Sequence, residues 1–138
     1  MKRVLMLASV ASMIDQFNMP NIALLQKLGY EVDVACNFIE GNTCSDERVA
    51  ELKQKLQDMH VRCYQIDFAR NIKHMGQNMR ALRQVEGLMK QNGYAFCHCH
   101  SPIGGVVARI AGHRTKTKVI YTAHGFHFYQ GAPVMNWL

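Results

Sequence analysis

One stretch near the end of the chain decides the fold: Lys118-Val119-Ile120-Tyr121-Thr122-Ala123-His124-Gly125-Phe126-His127-Phe128-Tyr129. Its first part is rich in β-branched and aromatic residues, which fit the pleated surface of a buried strand. At Thr122 the chain turns polar, and Gly125 lets the backbone bend sharply. A histidine at the end of a parallel strand, such as His124, is in the usual position for a ligand-binding or catalytic side chain. The alternative is that His124 only caps the end of the strand.

Upstream of this strand, four more strand patterns alternate with helical patterns. The predicted strands are Val4–Ala8, Glu31–Cys36, Val61–Ile66, Tyr94–Cys99 and Val119–Tyr121. A small and polar loop is predicted over Ser9–Gln16, and a helix with a kink at Pro20 follows and ends at Gly29. Further helices are predicted from Asp46, over Asn78–Gln91, and from Pro102 to Gly112.

This alternation predicts an α/β fold with a doubly wound parallel sheet, Rossmann-like, with helices on both faces. The spacing of Val32 and Val34 around Asp33 predicts a second strand with one less buried face. A strand order of 3-2-1-4-5 would make the first and fourth strands flank the point where the order reverses, which is where such sheets bind ligands.

Composition indicates one globular domain. The chain has 138 residues, of which 49% are hydrophobic and 19% charged, and this argues against disorder. A net charge of +6 suggests contact with phosphates, nucleic acid or an anionic membrane. The five cysteines are an odd number and no signal peptide is evident, so reduced thiols and a cytoplasmic location are expected. The apolar run Val4–Val10 is too short to cross a membrane.

Three loops are expected to converge on the crevice where the strand order reverses. They are Ser9–Gln16, His100–Gly105 and Thr122–Gly131, so His100 and His124 would sit on adjacent strand ends. Ser101 is the expected N-cap of the helix that begins at Pro102, and the free N–H groups of that helix would favour an anion. The pair Gly104-Gly105 allows close approach either of a ligand or, as the somewhat better interpretation, of the neighbouring strand.

The motifs present in the sequence argue against several kinds of binding site. A G-x-G-x-x-G sequence after the first strand is absent, as is a G-x-x-x-x-G-K-[ST] loop, so neither common phosphate-binding fingerprint is present. The run Cys97-His98-Cys99-His100 invites a zinc hypothesis. On a strand, however, the cysteines point to one face and the histidines to the other, so no metal site is expected.

The helix predicted over Asn78–Gln91 is amphipathic. Met79, Leu82, Val85 and Met89 are expected to form its buried stripe. Its basic side chains, Arg80, Arg83 and Lys90, are expected on the opposite side, where they would contact an anionic membrane. The alternative is an ordinary solvated helix face.

Four segments together resemble the N-terminal domain of bacterial GT-B glycosyltransferases of family 4, of the type that builds capsule, exopolysaccharide and other surface glycans. They are Lys2–Leu7, Gly29-Tyr30-Glu31-Val32, Cys99-His100-Ser101-Pro102-Ile103-Gly104-Gly105 and Tyr121-Thr122-Ala123-His124-Gly125-Phe126-His127-Phe128. The resemblance covers essentially the whole chain. It implies the acceptor-side half of a two-domain enzyme, with the nucleotide-sugar domain lying outside this chain, so residues 1–138 alone would be inactive.

The resemblance also implies roles for residues. His124 would be catalytic beside the transferred sugar, and substrate-binding positions would be Ser12, Asp15, His100, Ser101, Gly104, Gly105, Gly125 and His127. Asp15 would be a base if the enzyme were inverting, or otherwise a helix cap. The Gly-Gly pair that many relatives carry after the first strand is replaced here by Ser9-Val10-Ala11-Ser12-Met13-Ile14.

The implied reaction transfers a sugar, with retention, from a nucleotide-diphosphate donor to a lipid-linked or glycan acceptor. No cofactor and no nucleic-acid partner are expected. The location would be cytoplasmic or peripheral on the inner face of the cell membrane. The rival hypotheses are a non-catalytic flavodoxin-like binding module and half of a sugar-nucleotide epimerase.

Overall fold

The computed structural model describes residues 2–39, 45–68, 75–100 and 102–121, in which strands and helices alternate. The strands are β1 Arg3–Val10, β2 Glu31–Asn37, β3 Arg62–Gln65, β4 Phe96–Cys99 and β5 Val119–Tyr121. The helices are α1 Ala11–Met13, a π-helical segment Ile14–Asn18, α2 Met19–Lys27, α3 Asp46–Asp58, α4 Met75–Asn92 and α5 Pro102–Thr115. Within the described ranges, no helix combines the length and the hydropathy that a membrane crossing requires.

All five strands form one parallel sheet in the order β3-β2-β1-β4-β5, which confirms the predicted fold class and strand order. Met6 of β1 stands opposite Val34 of β2 on one side and His98 of β4 on the other. The chain adds β2 and β3 on one side of β1, and then β4 and β5 on the other side. Because each crossover between parallel strands is right-handed, the helices before β3 and the helices after β3 cover opposite faces of the sheet.

Each face of the sheet has its own hydrophobic core. On one face, alternate strand residues such as Leu5, Leu7, Cys97 and Cys99 pack against α4 and α5. On the other face, residues such as Met6, Val34 and Cys36 pack against α2 and α3. The described cysteines, Cys36, Cys63, Cys97 and Cys99, are free thiols, whereas Cys44 lies outside the described residues. Burial raises the pKa of all four described thiols, so they stay protonated and unreactive.

The predicted loop over Ser9–Gln16 is wrong, because the chain there is strand and then helix. β1 continues to Val10, α1 follows at once, and the π-helical segment joins it to α2. Pro20 near the start of α2 has no N–H to donate, and a wider π turn just before it accommodates the missing helical bond. The buried Asn18 donates from Nδ2 to the carbonyl oxygen of Met13 at 3.0 Å, which satisfies one of the displaced backbone acceptors.

The prediction of a less buried face on β2 is also wrong. Asp33 is fully buried, and its carboxylate accepts hydrogen bonds from three side chains. Arg62 donates twice, at 3.0 and 2.8 Å, while Arg3 Nη1 and the hydroxyl of Tyr94 donate at 2.7 Å each. The hydrogen bond to Asp33 raises the pKa of Arg62, and burial followed by the same carboxylate raises the pKa of Tyr94. The polar residue in the strand pattern therefore marks a buried ion cluster instead of a solvated face.

Two glycines bring α5 close to β5. A Cβ added at Gly105 would lie 2.9 Å from two ring carbons of Tyr121. A Cβ added at Gly112 would lie 2.6 Å from Cγ2 of Val119 and 2.7 Å from the backbone oxygen of Thr117. The close packing explains the small residues on this side of α5.

We expect Asp33→Ala to lower the free energy of unfolding by about 3 kcal/mol, because two guanidinium groups and a phenol lose their shared buried acceptor. Urea denaturation measures the loss. The control Glu51→Ala removes an exposed carboxylate 3.5 Å from Arg48 and should cost about 0.5 kcal/mol or less. Similar losses for the two variants would contradict a stabilising role for Asp33.

We expect Gly112→Ala to lower the free energy of unfolding by about 1–3 kcal/mol, because the new methyl group meets a backbone oxygen that cannot move aside cheaply. The matched control is Gly87→Ala in α4, where nothing lies within 4 Å of an added Cβ. That change should raise stability by about 0.5–1 kcal/mol through helix propensity. A destabilised Gly87→Ala, or a neutral Gly112→Ala, would contradict the packing argument.

Candidate functional site

The crevice expected from the strand order lies where β1 and β4 end side by side. Leu7 of β1 is paired with Cys99 of β4, and the backbone N–H of His100 donates to the carbonyl oxygen of Leu7 at 3.0 Å. The strand order reverses between β1 and β4. The chain therefore leaves the two strand ends in opposite directions, into α1 and into α5, and such a divergence is where parallel sheets of this kind bind ligands. The structure thus confirms which two strands flank the reversal, whereas the third expected loop, Thr122–Gly131, lies outside the described residues.

His100 lies at the floor of this crevice. Its ring is buried, with Nε2 2.9 Å from the sulfur of Met6 and its centroid 4.1 Å from that of His98. The two rings lie on the sheet face opposite Cys97 and Cys99, as the strand alternation predicts. Among the described residues, no group of three His, Cys, Asp or Glu side chains could hold a metal ion. His100 is thus buried between Met6 and His98, and its substrate-binding role stays a prediction.

Ser12 and Asp15 follow β1 at the other side of the crevice. Ser12 is buried within α1. Asp15 lies in the π-helical segment, where its carboxylate accepts two hydrogen bonds from Arg48 of α3, at 2.9 and 3.2 Å. Asp15 does not begin a helix, so the capping interpretation is wrong. A role as a base would require it to give up a two-pronged ion pair.

Gly104 and Gly105 are both buried in the first part of α5. The contact of Gly105 with the Tyr121 ring favours strand packing as the reason for this glycine, the interpretation preferred from the sequence. Tyr121 is the last residue of β5, and the guanidinium carbon of Arg109 lies 5.8 Å from its ring centroid. The end of β5 is thus held against α5 just before the segment that carries His124.

Four predicted site residues, Ser101, His124, Gly125 and His127, lie outside the described residues. Their roles stay predictions. The helix behind Ser101 is described from Pro102 and runs for 14 residues. Its first turn lies at the carboxyl edge of the sheet, because a helix in a parallel α/β unit runs antiparallel to its strands.

Sequence reasoning missed a polar network at the carboxyl ends of β2 and β3. Gln65 Nε2 donates to Asn37 Oδ1 at 3.0 Å and to Asp67 Oδ1 at 3.1 Å. Gln84 of α4 donates from Nε2 to Asp67 Oδ2 at 2.9 Å, and its Oε1 accepts from the backbone N–H of Asp67 at 2.8 Å. Asn37 Nδ2 donates to the carbonyl oxygen of Phe68 at 2.9 Å. The signal in the sequence was an amide or a carboxylate directly after each predicted strand, at Asn37 after Glu31–Cys36 and at Asp67 after Val61–Ile66.

The side chains expected to contact a membrane lie on the outside of α4. Arg80, Arg83 and Lys90 are exposed, and Arg80 has Nη1 4.0 Å from a carboxylate oxygen of Asp67. Leu82, Val85 and Met89 are buried as predicted. Met79 is exposed, so its assignment to the buried stripe is wrong.

The sequence profile of the family described as "Glycosyl transferase 4-like" matches residues 3–138 of this chain. The chain is also 35% identical over 140 residues to the Bacillus subtilis (strain 168) protein named "Putative glycosyltransferase EpsD". That match covers 99% of this chain and 32% of the relative. The chain therefore spans about a third of the length of this curated relative.

Solved structures of different enzymes share the fold. MurG of Acinetobacter baumannii superimposes with a TM-score of 0.64 at 19% identity, covering 89% of this chain and 34% of MurG. A deacetylase of the teicoplanin biosynthesis pathway gives 0.69 at 10% identity, covering 96% and 72%. UDP-GlcNAc 2-epimerase from Methanocaldococcus jannaschii gives 0.57 at 12% identity, covering 99% and 35%. At these identities the likeness concerns the fold alone.

The family assignment rests on sequence, since the profile spans nearly the whole chain and the curated relative aligns along all but 1% of it. The five-stranded Rossmann-like sheet agrees with that assignment. This chain belongs to the glycosyl transferase 4-like family.

Proposed function

We propose that this chain is the acceptor-side domain of a retaining glycosyltransferase. The full enzyme moves a sugar from a nucleotide-diphosphate donor to a lipid-linked or glycan acceptor in the cytoplasmic synthesis of a surface polysaccharide. The observation that carries the proposal is the family match over residues 3–138, and the crevice between the ends of β1 and β4 supplies a place for the reaction.

His124 is the proposed catalytic residue. It follows the last residue of β5 by three positions, and β5 is the neighbour of β4 in the sheet. In this role its imidazole donates a hydrogen bond to the donor sugar or to the charge that develops on it. Gly125 and His127 contact the same substrate, and Ser101 with the start of α5 favours an anionic group.

His100 and Ser12 serve the crevice from below. Both are buried, so in this proposal they hold the ends of β4 and α1 in place beside the substrate. Asp15 is tied to Arg48 and fixes the π-helical segment against α3. These contacts hold the first-strand side of the crevice rigid, which helps a preorganised site.

The donor side of the site lies in the part of the protein beyond this chain. The curated relative is about three times as long as the aligned region, which leaves room for a second domain. Positive charge from that domain would neutralise the leaving diphosphate.

One assay separates this proposal from its rivals: the full-length protein is incubated with nucleotide-diphosphate sugars, with and without a lipid-linked acceptor fraction.

Sugar attached to the acceptor supports the transferase. A changed nucleotide sugar formed without acceptor would identify an epimerase, and binding without turnover would identify a non-catalytic module.

We expect purified residues 1–138 to have no transferase activity, because the groups that neutralise the leaving diphosphate are supplied from outside this chain. The measurement is sugar transfer under conditions in which the full-length protein is active. Circular dichroism with a cooperative thermal transition shows that the short chain is folded. Turnover above that of the same chain carrying His124→Ala would contradict the expectation.

We expect His124→Ala in the full-length protein to reduce turnover about a hundredfold or more, in line with the loss of one preorganised donor. The melting temperature should stay nearly unchanged, because the residue follows the apolar run of β5. The control is His60→Asn, since His60 is exposed in a left-handed turn after α3 that asparagine tolerates. Unchanged turnover for His124→Ala would refute the catalytic role, and a large fall in its melting temperature would indicate a structural one.

A further inference from the structure

We propose that Asn92 is a site of self-modification by deamidation, in which its side-chain amide is hydrolysed through a succinimide formed with the backbone of Gly93, and that Arg62 holds this reaction back in the folded protein. Of the eight asparagines in the chain, only Asn92 is followed by glycine. Because glycine has no Cβ, its backbone nitrogen is the least shielded from the preceding side chain. The modification concerns this chain by itself and does not depend on sugar transfer.

The chemistry uses only atoms of the chain and water. The backbone nitrogen of Gly93 loses its proton to solvent and attacks Cγ of Asn92, and the side-chain nitrogen leaves as ammonia. Water then opens the succinimide ring at either of its two carbonyl carbons. One opening leaves an aspartate, and the other leaves an isoaspartate, in which the main chain is longer by a methylene group. Asparagine is among the thermolabile residues of proteins.

The Asn92–Gly93 pair lies where solvent can reach it. Asn92 is the last residue of α4, and Gly93 after it is exposed, with a left-handed φ of 57°. A cavity of about 490 Å³ opens beside the pair and is also lined by Lys2, Arg3 and Ala95. The cavity gives water access to the amide. The exposed Lys2 adds a positive charge, which favours the negative charge that develops on the attacked carbonyl group.

Three hydrogen bonds keep the amide away from the attacking nitrogen in the folded protein. Asn92 Nδ2 donates to the carbonyl oxygen of Leu88 at 3.0 Å, and Asn92 Oδ1 accepts from Arg62 Nη2 at 2.9 Å. The backbone N–H of Gly93 donates to the carbonyl oxygen of Met89 at 3.1 Å. Attack requires the Gly93 nitrogen to leave its acceptor and the Asn92 side chain to rotate toward it. All three bonds therefore have to open before the reaction starts.

Arg62 is the part of this restraint that comes from outside α4. Its Nε and Nη2 donate to the buried carboxylate of Asp33 at 3.0 and 2.8 Å, which fixes the guanidinium while Nη2 also reaches Asn92. The other two bonds are local to the end of a helix, where hydrogen bonds open readily. The buried ion cluster around Asp33 therefore determines how long Asn92 stays intact.

The two products differ in what they do to the neighbouring cluster. An aspartate formed from Asn92 places a carboxylate beside Arg62 and lowers the net charge of +6 by one. An isoaspartate lengthens the main chain just before Tyr94, whose hydroxyl donates to Asp33 at 2.7 Å. The aspartate is thus accommodated by an ion pair, whereas the isoaspartate loosens the entry into β4.

The test follows Asn92 in the full-length protein by peptide mass spectrometry after incubation at mildly alkaline pH, either folded or unfolded in urea. Chromatography separates the aspartyl peptide from the isoaspartyl peptide. We expect both products in urea and a reaction about a hundredfold slower in the folded protein, because three hydrogen bonds have to open. In urea, Gly93→Ala should slow the reaction about tenfold or more, because the added methyl group shields the attacking nitrogen.

Two matched variants isolate the part played by Arg62. Arg62→Lys keeps a cation beside Asp33 but lacks the branch that reaches Asn92, so deamidation of the folded protein should be about fivefold faster or more. Arg3→Lys also replaces a guanidinium that donates to Asp33, at 2.7 Å, but its other hydrogen bond is to Glu31. It should react like the wild type. Thermal denaturation confirms that each variant is folded at the temperature of incubation.

Low concentrations of urea, below the unfolding transition, distinguish local opening from global unfolding. The rate in the folded wild type should stay nearly constant there, whereas a reaction through global unfolding would rise steeply and overturn the role of local restraint. This measurement decides the question even if Arg62→Lys is unstable.

Four further outcomes would also overturn the proposal. They are an intact Asn92 in urea, equal rates in folded and unfolded protein, an Arg62→Lys rate no faster than that of Arg3→Lys, and aspartate as the sole product. The last would indicate direct hydrolysis of the amide without a succinimide.

Discussion

A parallel sheet has to be covered on both faces, and its crossovers have to be right-handed. These two constraints account for most of this structure. The chain adds strands to one side of β1 and then to the other, which sends α2 and α3 to one face and α4 and α5 to the opposite one. The reversal leaves an opening at the ends of β1 and β4. The candidate site is therefore a consequence of topology, and the side chains at that edge decide only its chemistry.

The buried Asp33 shows how the central strands tolerate a charge. An isolated carboxylate in this position would be very costly, and three donors from β1, β3 and the chain before β4 offset that cost. The donors come from segments far apart in sequence, so the cluster also connects the amino-terminal ends of neighbouring strands. The opposite edge is organised by the network around Gln65 and Asp67, which uses amides and a partly exposed carboxylate. The buried ion cluster and this amide and carboxylate network thus lie at opposite ends of the sheet.

The two helical layers differ in charge as well as in position. Residues 75–121, which include α4 and α5, have a net charge of +6, whereas the rest of the chain, which includes α2 and α3, is neutral. The single acidic side chain of residues 75–121, Glu86, is used in an ion pair between the helices, so it does not offset the basic surface.

The sequence by itself determined the fold class and indicated the strand order that the structure has. Strands and helices of this chain have clear periodicity, and the topology rules leave few ways to assemble five βα units. Family membership was also recognisable from the motifs around His100 and His124. Boundaries between elements and the environments of polar residues were less predictable, because both depend on contacts between segments that are distant in sequence.

Particular residues show why tertiary structure decided the rest. Ser9–Gln16 looked like a loop because its residues are small and polar, yet packing of Ala11 and Ile14 against the core makes it helical. Asp33 looked exposed because its charge suggested solvent, but the partners that bury it, Arg3, Arg62 and Tyr94, are brought together only by the sheet. Asp15 could have been a base or a cap until α3 placed Arg48 beside it. In each case the local pattern of apolar and polar residues indicated helix or strand, and only the assembled fold decided which partner a side chain contacts.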